Sequence, residues 1–179
     1  MDIKFLKKNF TFERINLIKL SLKFTNDIYE YSKDKSFFRH LEYSEFKSKL
    51  RTKSYLKEKI LDTKQNKSFW WAIVMSNKCI GTICVKNINL KRKSCELGYG
   101  LNPKYWNKGY FKKTLKGLIS KIISKKRFIR CQVITAKSNK PSLYALKKCG
   151  FNVEGTLKKY YYSDAKKKHF DAILLSKIN

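Results

Sequence analysis

The apolar positions of this chain change period several times, and each change predicts a different element. Residues 12–20 partly alternate, with β-branched and aromatic side chains, and predict a first strand. Thr25-Asn26-Asp27 reads as a helix start, with Ile28, Tyr31 and Phe37-Phe38 following. Over residues 44–64, Ser44 leads Phe46, Leu50, Tyr55, Leu56, Ile60 and Leu61, with charges between them, which predicts a second helix. Ser68–Met75 and Cys79–Val85 then read as two strands joined at Ser76-Asn77-Lys78. Asn87–Ser94 reads as a basic loop.

The pattern then concentrates in one stretch. Ser94–Leu101 is a short apolar strand that turns at Asn102-Pro103, where proline has no N–H to pair. Gly109 follows, a residue free to take φ > 0. From there to about Ser124, Phe111, Leu115, Leu118, Ile119, Ile122 and Ile123 recur at helical spacing. A strand, a glycine-bearing turn and a helix start leave unpaired N–H groups at the positive end of a helix dipole. That geometry suits phosphate, although a tight connector would use the same residues. Beyond it, Arg127–Ala136 predicts a strand. A short helix starts near Ser138–Ser142, with Pro141 in its first turn, and stops at Cys149-Gly150. Strands around 153–162 and 168–177 close the chain. Strands with helices inserted between them predict a mixed-sheet α/β domain spanning residues 1–179, with no repeat and no linker.

Composition narrows the function classes. No apolar run approaches the ~20 residues of a membrane helix, and Met1–Lys8 reads as the start of a mature chain rather than a leader. Five cysteines without a C-x-x-C pair, beside only His40 and His169, indicate neither a metal site nor a disulfide framework. A reducing cytoplasm is the expected compartment. The formal net charge is +29. It attracts anionic partners and repels cationic ones. Lys outnumbers Arg about six to one, so much of that charge also fits the codon bias of an AT-rich genome.

The order of motifs resembles the GNAT superfamily of acyl-CoA-dependent N-acetyltransferases, in the branch of ribosomal-protein-alanine acetyltransferases and nucleotide-sugar acetyltransferases. Two segments carry the resemblance. Glu96–Tyr110 is similar to the family's central strand and pyrophosphate loop. Asn139-Lys140-Pro141-Ser142, followed by Lys147–Gly155, is similar to the branch's N-x-x-S … K-x-G-F-x-x-E-G segment. Within the loop the chain departs from the family: Trp106 stands at a Gln/Arg position, Asn107 at a frequent glycine and Phe111 at a small residue.

The resemblance implies a mostly antiparallel central sheet, splayed at its central strand and flanked by about four helices. It implies acetyl-CoA as co-substrate, with no metal. Leu101, Asn102, Asn107, Lys108, Gly109, Tyr110, Phe111, Lys112, Asn139 and Ser142 would hold it, the loop mainly through main-chain N–H groups. An N–H near Leu101 would face the thioester carbonyl. Glu96 is the candidate base, with His169 second; Ser142 is the candidate acid, with Tyr144 as substitute. The tyrosine that relatives often use as acid is replaced by Leu146, and Asp171 matches a family aspartate that is usually structural. Each has a plainer reading: Glu96 as partner of a lysine, Asn139 as helix cap, Ser142 as a first-turn hydroxyl. Tyr160–Tyr162 and Trp70-Trp71 read as strand residues or as walls of an acceptor pocket.

With 13 carboxylates against 42 Lys and Arg, an anionic amine acceptor is expected rather than a polyamine. A nucleotide-linked amino sugar comes first and a protein N-terminus second, in a monomer or homodimer without membrane contact. A protein that binds the coenzyme without turnover is a further possibility. From another class, a basic nucleic-acid-binding module is suggested by Lys158–Tyr162 and Lys166–Phe170, though no base-reading motif accompanies them.

Overall fold

In the computed structural model, residues 3–124 and 127–179 are described; Met1 and Asp2, at the start of the segment read as a mature N-terminus, lie outside them. Eight strands form one sheet in the order β1-β2-β3-β4-β5-β6-β8-β7. They are β1 (Phe10–Phe12), β2 (Ile15–Lys19), β3 (Phe69–Met75), β4 (Lys78–Asn89), β5 (Ser94–Leu101), β6 (Arg130–Ala136), β7 (Asn152–Ser163) and β8 (Lys168–Ile178). Every neighbouring pair is antiparallel except β5 and β6. The helices are α1 (Thr25–Ser32), α2 (Lys35–Phe38), α3 (Lys49–Lys64), α4 (Tyr110–Ile123) and α5 (Lys140–Lys148).

One core lies between the sheet and α4–α5, built on Leu17, Trp71, Ile83, Leu97, Leu115, Leu118, Ile122, Leu146 and Leu175. A smaller one joins Ile28 and Tyr31 of α1 and Leu56 of α3 to Ala72, Val74 and Cys79. Helices thus cover both faces of the sheet, and burial of these side chains is the main favourable term in folding.

Where the elements differ from the sequence pattern, a local cause is visible. The first strand is a hairpin, because Glu13 takes φ 54° and turns the chain after Phe12. α3 starts at Lys49 because Ser48, not Ser44, caps it: its Oγ accepts the Arg51 N–H at 3.1 Å. Phe46 belongs to no helix; its N–H donates to the Ser32 carbonyl at 2.9 Å, and its ring lies against Phe38. β4 runs on through Asn89 into the expected loop, with a register shift beyond Lys86 and φ 49° at Asn87. β6 starts at Arg130 rather than Arg127. The helix count rises by the single turn α2, capped by Asp34.

Glu154, from the second matched segment, is structural. Its carboxylate receives Arg130 of β6 and, at 2.5 Å, the Ser176 hydroxyl of β8, tying three strands together. The hydrogen bond from Arg130, then that from Ser176, pulls the carboxyl down to about 2. A depressed folded-state value contributes stability that is present above the free glutamate range and is lost as pH falls through about 2. Glu154→Gln should therefore lower the urea midpoint at pH 7, and the deficit should shrink steadily below about pH 4. Urea titrations of both proteins across that range check this.

Candidate active site

β5 and β6 pair for three residues only: Ser94 with Arg130, Cys95 with Cys131 and Glu96 with Gln132. Beyond Glu96, β5 keeps its partner β4 as far as Leu101, while β6 turns away to β8. The sheet is open between Leu97–Leu101 and Val133–Ala136. The Asn102 N–H goes to the Ile80 carbonyl at 2.8 Å. Alternation along an antiparallel strand then directs the N–H groups of Tyr99 and Leu101 away from β4, into the opening. The Leu101 carbonyl, on the same side, accepts the Trp106 indole N–H at 2.7 Å. Trp106 therefore braces the strand end from a position where the family carries a polar side chain.

The turn that follows is set by its own residues. Asn102 accepts the Lys104 N–H at 3.0 Å, and Pro103 opens a single 3-10 turn over Pro103–Tyr105. Asn107 and Gly109 both take left-handed conformations, φ 57° and 77°. They swing the chain into α4 with no side chain capping it. The first-turn amides of α4 thus receive no side-chain cap, and a Cβ on Gly109 would meet nothing within 4 Å. Lys104, Lys108 and Lys112 add positive charge. Phe111 spends its bulk inward, its ring 4.2 Å from that of Tyr99, so it does not crowd the turn.

On the α1–α3 side of the opening lies a cavity of about 270 Å3. One wall is a chain of aromatic rings, Tyr31–Phe37–Phe38–Phe46–Tyr55–Trp70, with successive centroids 4.9 to 6.2 Å apart. The other wall comes from β4, β5 and β6. Phe37 stands over Gly100, where a Cβ would come within 2.7 Å of its ring. Glu96 is buried here: one oxygen meets Lys86 Nζ at 3.0 Å, and the other accepts from Asn87 Nδ2 at 3.0 Å and Gln132 Nε2 at 3.5 Å. Burial pulls the Lys86 ammonium down, but the charge and hydrogen bond of Glu96 outweigh it and hold the group above its usual range. The Tyr161 hydroxyl donates to the Ile134 carbonyl at 2.9 Å. Burial lifts the neighbouring Cys84 thiol to about 12, so it stays protonated.

The opening leads from this cavity toward α5. Asn139 lines the cavity and caps α5, its Oδ1 accepting the Ser142 N–H at 3.2 Å. The Ser142 hydroxyl is 2.6 Å from that of Tyr99 and accepts from Thr135 Oγ1 at 3.3 Å. Burial, opposed by the Ser142 hydrogen bond, raises the Tyr99 phenol far above its usual value.

Glu96, Asn139 and Ser142 are thus brought to the opening and the cavity beside it. Two other candidate residues are not. Tyr144 is 66% exposed on the outer side of α5, with the Lys148 ammonium over its ring. His169 is exposed on β8, its Nδ1 3.2 Å from the Lys159 carbonyl and its ring against Tyr162. Asp171 accepts the Lys159 N–H at 3.0 Å and pairs with Lys137 at 3.6 Å, a bracing role on the hairpin. The two basic runs pair with each other there, Tyr161 opposite Phe170 and Tyr162 opposite His169. Tyr99 and Thr135 are the hydroxyls that sequence reading missed; only their alternation on β5 and β6 could have signalled them. Among the described residues, no three His, Cys, Asp or Glu cluster to hold a metal, and no helix is long and apolar enough to cross a membrane.

A strand parted from its neighbour, an uncapped helix start beyond it and a pocket on the far side define an acyl-CoA-dependent transferase. Residues 14–152 match the family model described as acetyltransferase (GNAT) domain, and the chain belongs to that family, whose members move acetyl groups from acetyl-CoA to amines. The fold is that of the microcin C7 self-immunity acetyltransferase MccE, solved with acetyl-CoA and AMP: TM-score 0.86 and 21% identity over 93% of each chain. It is equally that of the ribosomal L7/L12 alpha-N-protein acetyltransferase RimL, solved with coenzyme A: TM-score 0.86 and 16% identity over 96% of this chain and 98% of that one. The uncharacterized N-acetyltransferase YoaA of Bacillus subtilis is 28% identical over 89 residues, half the length of each chain.

Proposed function

We propose that this protein transfers the acetyl group of acetyl-CoA to a primary amine on an anionic small molecule, best matched by a nucleotide-linked amino sugar. The observation that carries the reading is the cavity: small, walled by aromatic rings, holding the Lys86 ammonium, and open to the parted strands. Flat rings and a fixed cation suit a base, a sugar and a phosphate better than a polyamine. The likeness to a protein solved with AMP beside acetyl-CoA agrees with it.

In this reading the amides of Asn107–Lys112 grip the coenzyme's pyrophosphate, with Lys108 and Lys112 alongside. Asn139 and the N–H groups of Tyr99 and Leu101 line the pantetheine path. The neutral amine attacks the thioester carbonyl directly, and the Leu101 N–H takes the developing oxyanion. Collapse expels the thiolate, which takes a proton from the Ser142 hydroxyl; the amine proton leaves to water in the cavity, and that water returns a proton to Ser142. The five cysteines, all free and all buried, fit a reducing cytoplasm.

A second acceptor, a protein N-terminus, is favoured by the lysine-rich β7–β8 hairpin beside the cavity mouth, where the Asp164 N–H meets the Glu42 carbonyl at 3.0 Å. Mass spectrometry of reactions with acetyl-CoA and nucleotide-linked amino sugars, acidic and neutral peptides, or polyamines separates these readings. We expect acetylated amino sugar. Acetylation of polyamines alone would overturn the charge argument.

A further inference from the structure

Three of the roughly four acceptor positions of the carboxylate on β5 are taken up, and this bears on the lysine beside it. Glu96 and Lys86 are cross-strand partners in the β4–β5 register. The register shift just beyond Lys86 lets Asn87 turn its amide onto the same carboxylate, and Gln132 reaches it from β6. Two amides, from β4 and β6, are thus arranged about one ion pair. A carboxylate holding an ammonium and two amides is placed as a fixed counter-ion.

What that counter-ion holds in place is a cation at the cavity wall. The Lys86 side chain is 42% exposed, against 8% for Glu96, so the ammonium has an open side. An ammonium has three donors, and Glu96 takes one. The other ionisable groups of the cavity already have partners. Lys59 is held by Glu58 at 2.6 Å and Asp62 at 3.9 Å, with its ammonium over the wall rings of Tyr55 and Trp70; His40 is 3.1 Å from Ser138 Oγ, and Glu42 faces the Tyr162 N–H at 3.5 Å.

We propose that Lys86 is the specificity-determining residue for the acceptor: its ammonium, fixed by Glu96, binds an anionic group of the acceptor, a phosphate or a carboxylate. The inference rests on the reading that the acceptor enters this cavity. It adds a length requirement. Glu96 lies three residues along β5 from Tyr99 and five from Leu101, roughly 10 to 17 Å at the rise of a strand. The acceptor amine and its anionic group must be separated by about that distance, less the reach of the lysine side chain. A free amino acid is too short. An amine one sugar ring away from a phosphate fits, and so does a peptide N-terminus two residues ahead of an acidic side chain.

Binding experiments on the intact protein saturated with CoA test this. The probes are uridine diphosphate against uridine, and a tripeptide with glutamate at its third position against its glutamine counterpart. We expect one anionic probe to bind at least about tenfold more tightly than its neutral partner, and the pair that shows the preference names the source of the anion. Lys86→Met and Lys86→Gln should abolish the preference, Lys86→Arg should keep most of it, and CoA affinity should be unchanged in all three. A preference that survives Lys86→Met and Lys86→Gln overturns the assignment, as does the lack of any preference in the wild-type protein. Either result leaves the acetyltransferase reading to the product screen, which fails independently if no amine in any class is acetylated.

Discussion

Gly109→Val should weaken coenzyme A binding on the order of tenfold to a hundredfold, while the thermal midpoint falls only slightly. Gly109 sits at φ 77° as the residue before α4, and a side chain there meets no atom within 4 Å. The penalty is therefore conformational and not steric. A β-branched residue held in the left-handed region costs about 1–3 kcal/mol, and the loop can escape that cost by rotating out of the conformation that aims its amides. Escape spares the fold, because the turn is exposed and α4 is anchored by Leu115, Leu118 and Ile122, but it spoils the anion cradle. Gly109→Asn is the control, since asparagine tolerates the left-handed region, as Asn107 already does at φ 57°. Calorimetric titration with CoA checks both. Wild-type affinity in the valine variant would mean that the coenzyme is held elsewhere.

That turn was the most legible part of the chain, because every feature that makes it is local. Asn102-Pro103, Gly109 and the apolar stripe after it lie within one continuous stretch, so the strand, the turn and the helix could all be read in order. The divergence of β5 and β6 was not local. It depends on β6 leaving its partner after Gln132, and it could be expected only through the family resemblance. The cavity wall was least legible. Its six aromatic rings come from α1, α2, the segment before α3, α3 itself and β3, and nothing in their spacing brings them together. Lys86 escaped notice for a related reason: among 42 basic residues it is distinguished only by its register opposite Glu96. His169 and Tyr144 were attractive as chemistry, but strand alternation and helix phase carry them to the outside.

The register also limits what the overall charge can explain. The cavity is not a pool of lysines: its two lining lysines, Lys59 and Lys86, stand with two lining carboxylates, Glu42 and Glu96. The +29 field draws anions toward the molecule, and with them the coenzyme. Discrimination among amines must come from the placement of a few groups inside, and a surface made basic by codon usage is compatible with a selective pocket.

Ser142→Ala should lower kcat about a hundredfold and leave both CoA affinity and the acceptor KM nearly unchanged. A hydroxyl has one hydrogen and two acceptor sites. Thr135 Oγ1 donates into one site at 3.3 Å. If the Tyr99 phenol, which burial keeps protonated, donates into the other at 2.6 Å, the serine hydrogen is left free to point into the opening. That is the arrangement an expelled thiolate needs. The helix should survive the substitution, because Asn139 caps it through the Ser142 main-chain N–H rather than the hydroxyl. Tyr99→Phe should give a smaller loss in the same direction, since it frees one lone pair of Ser142 without removing the proton donor. Steady-state kinetics with the acceptor returned by the product screen measure both. Acetyl thioesters of more acidic thiols sharpen the comparison: a leaving group that needs no proton should restore most of the rate in Ser142→Ala. Equal losses with acetyl-CoA and with the activated thioester would place the serine in coenzyme positioning, and an unchanged kcat would hand the proton transfer to water.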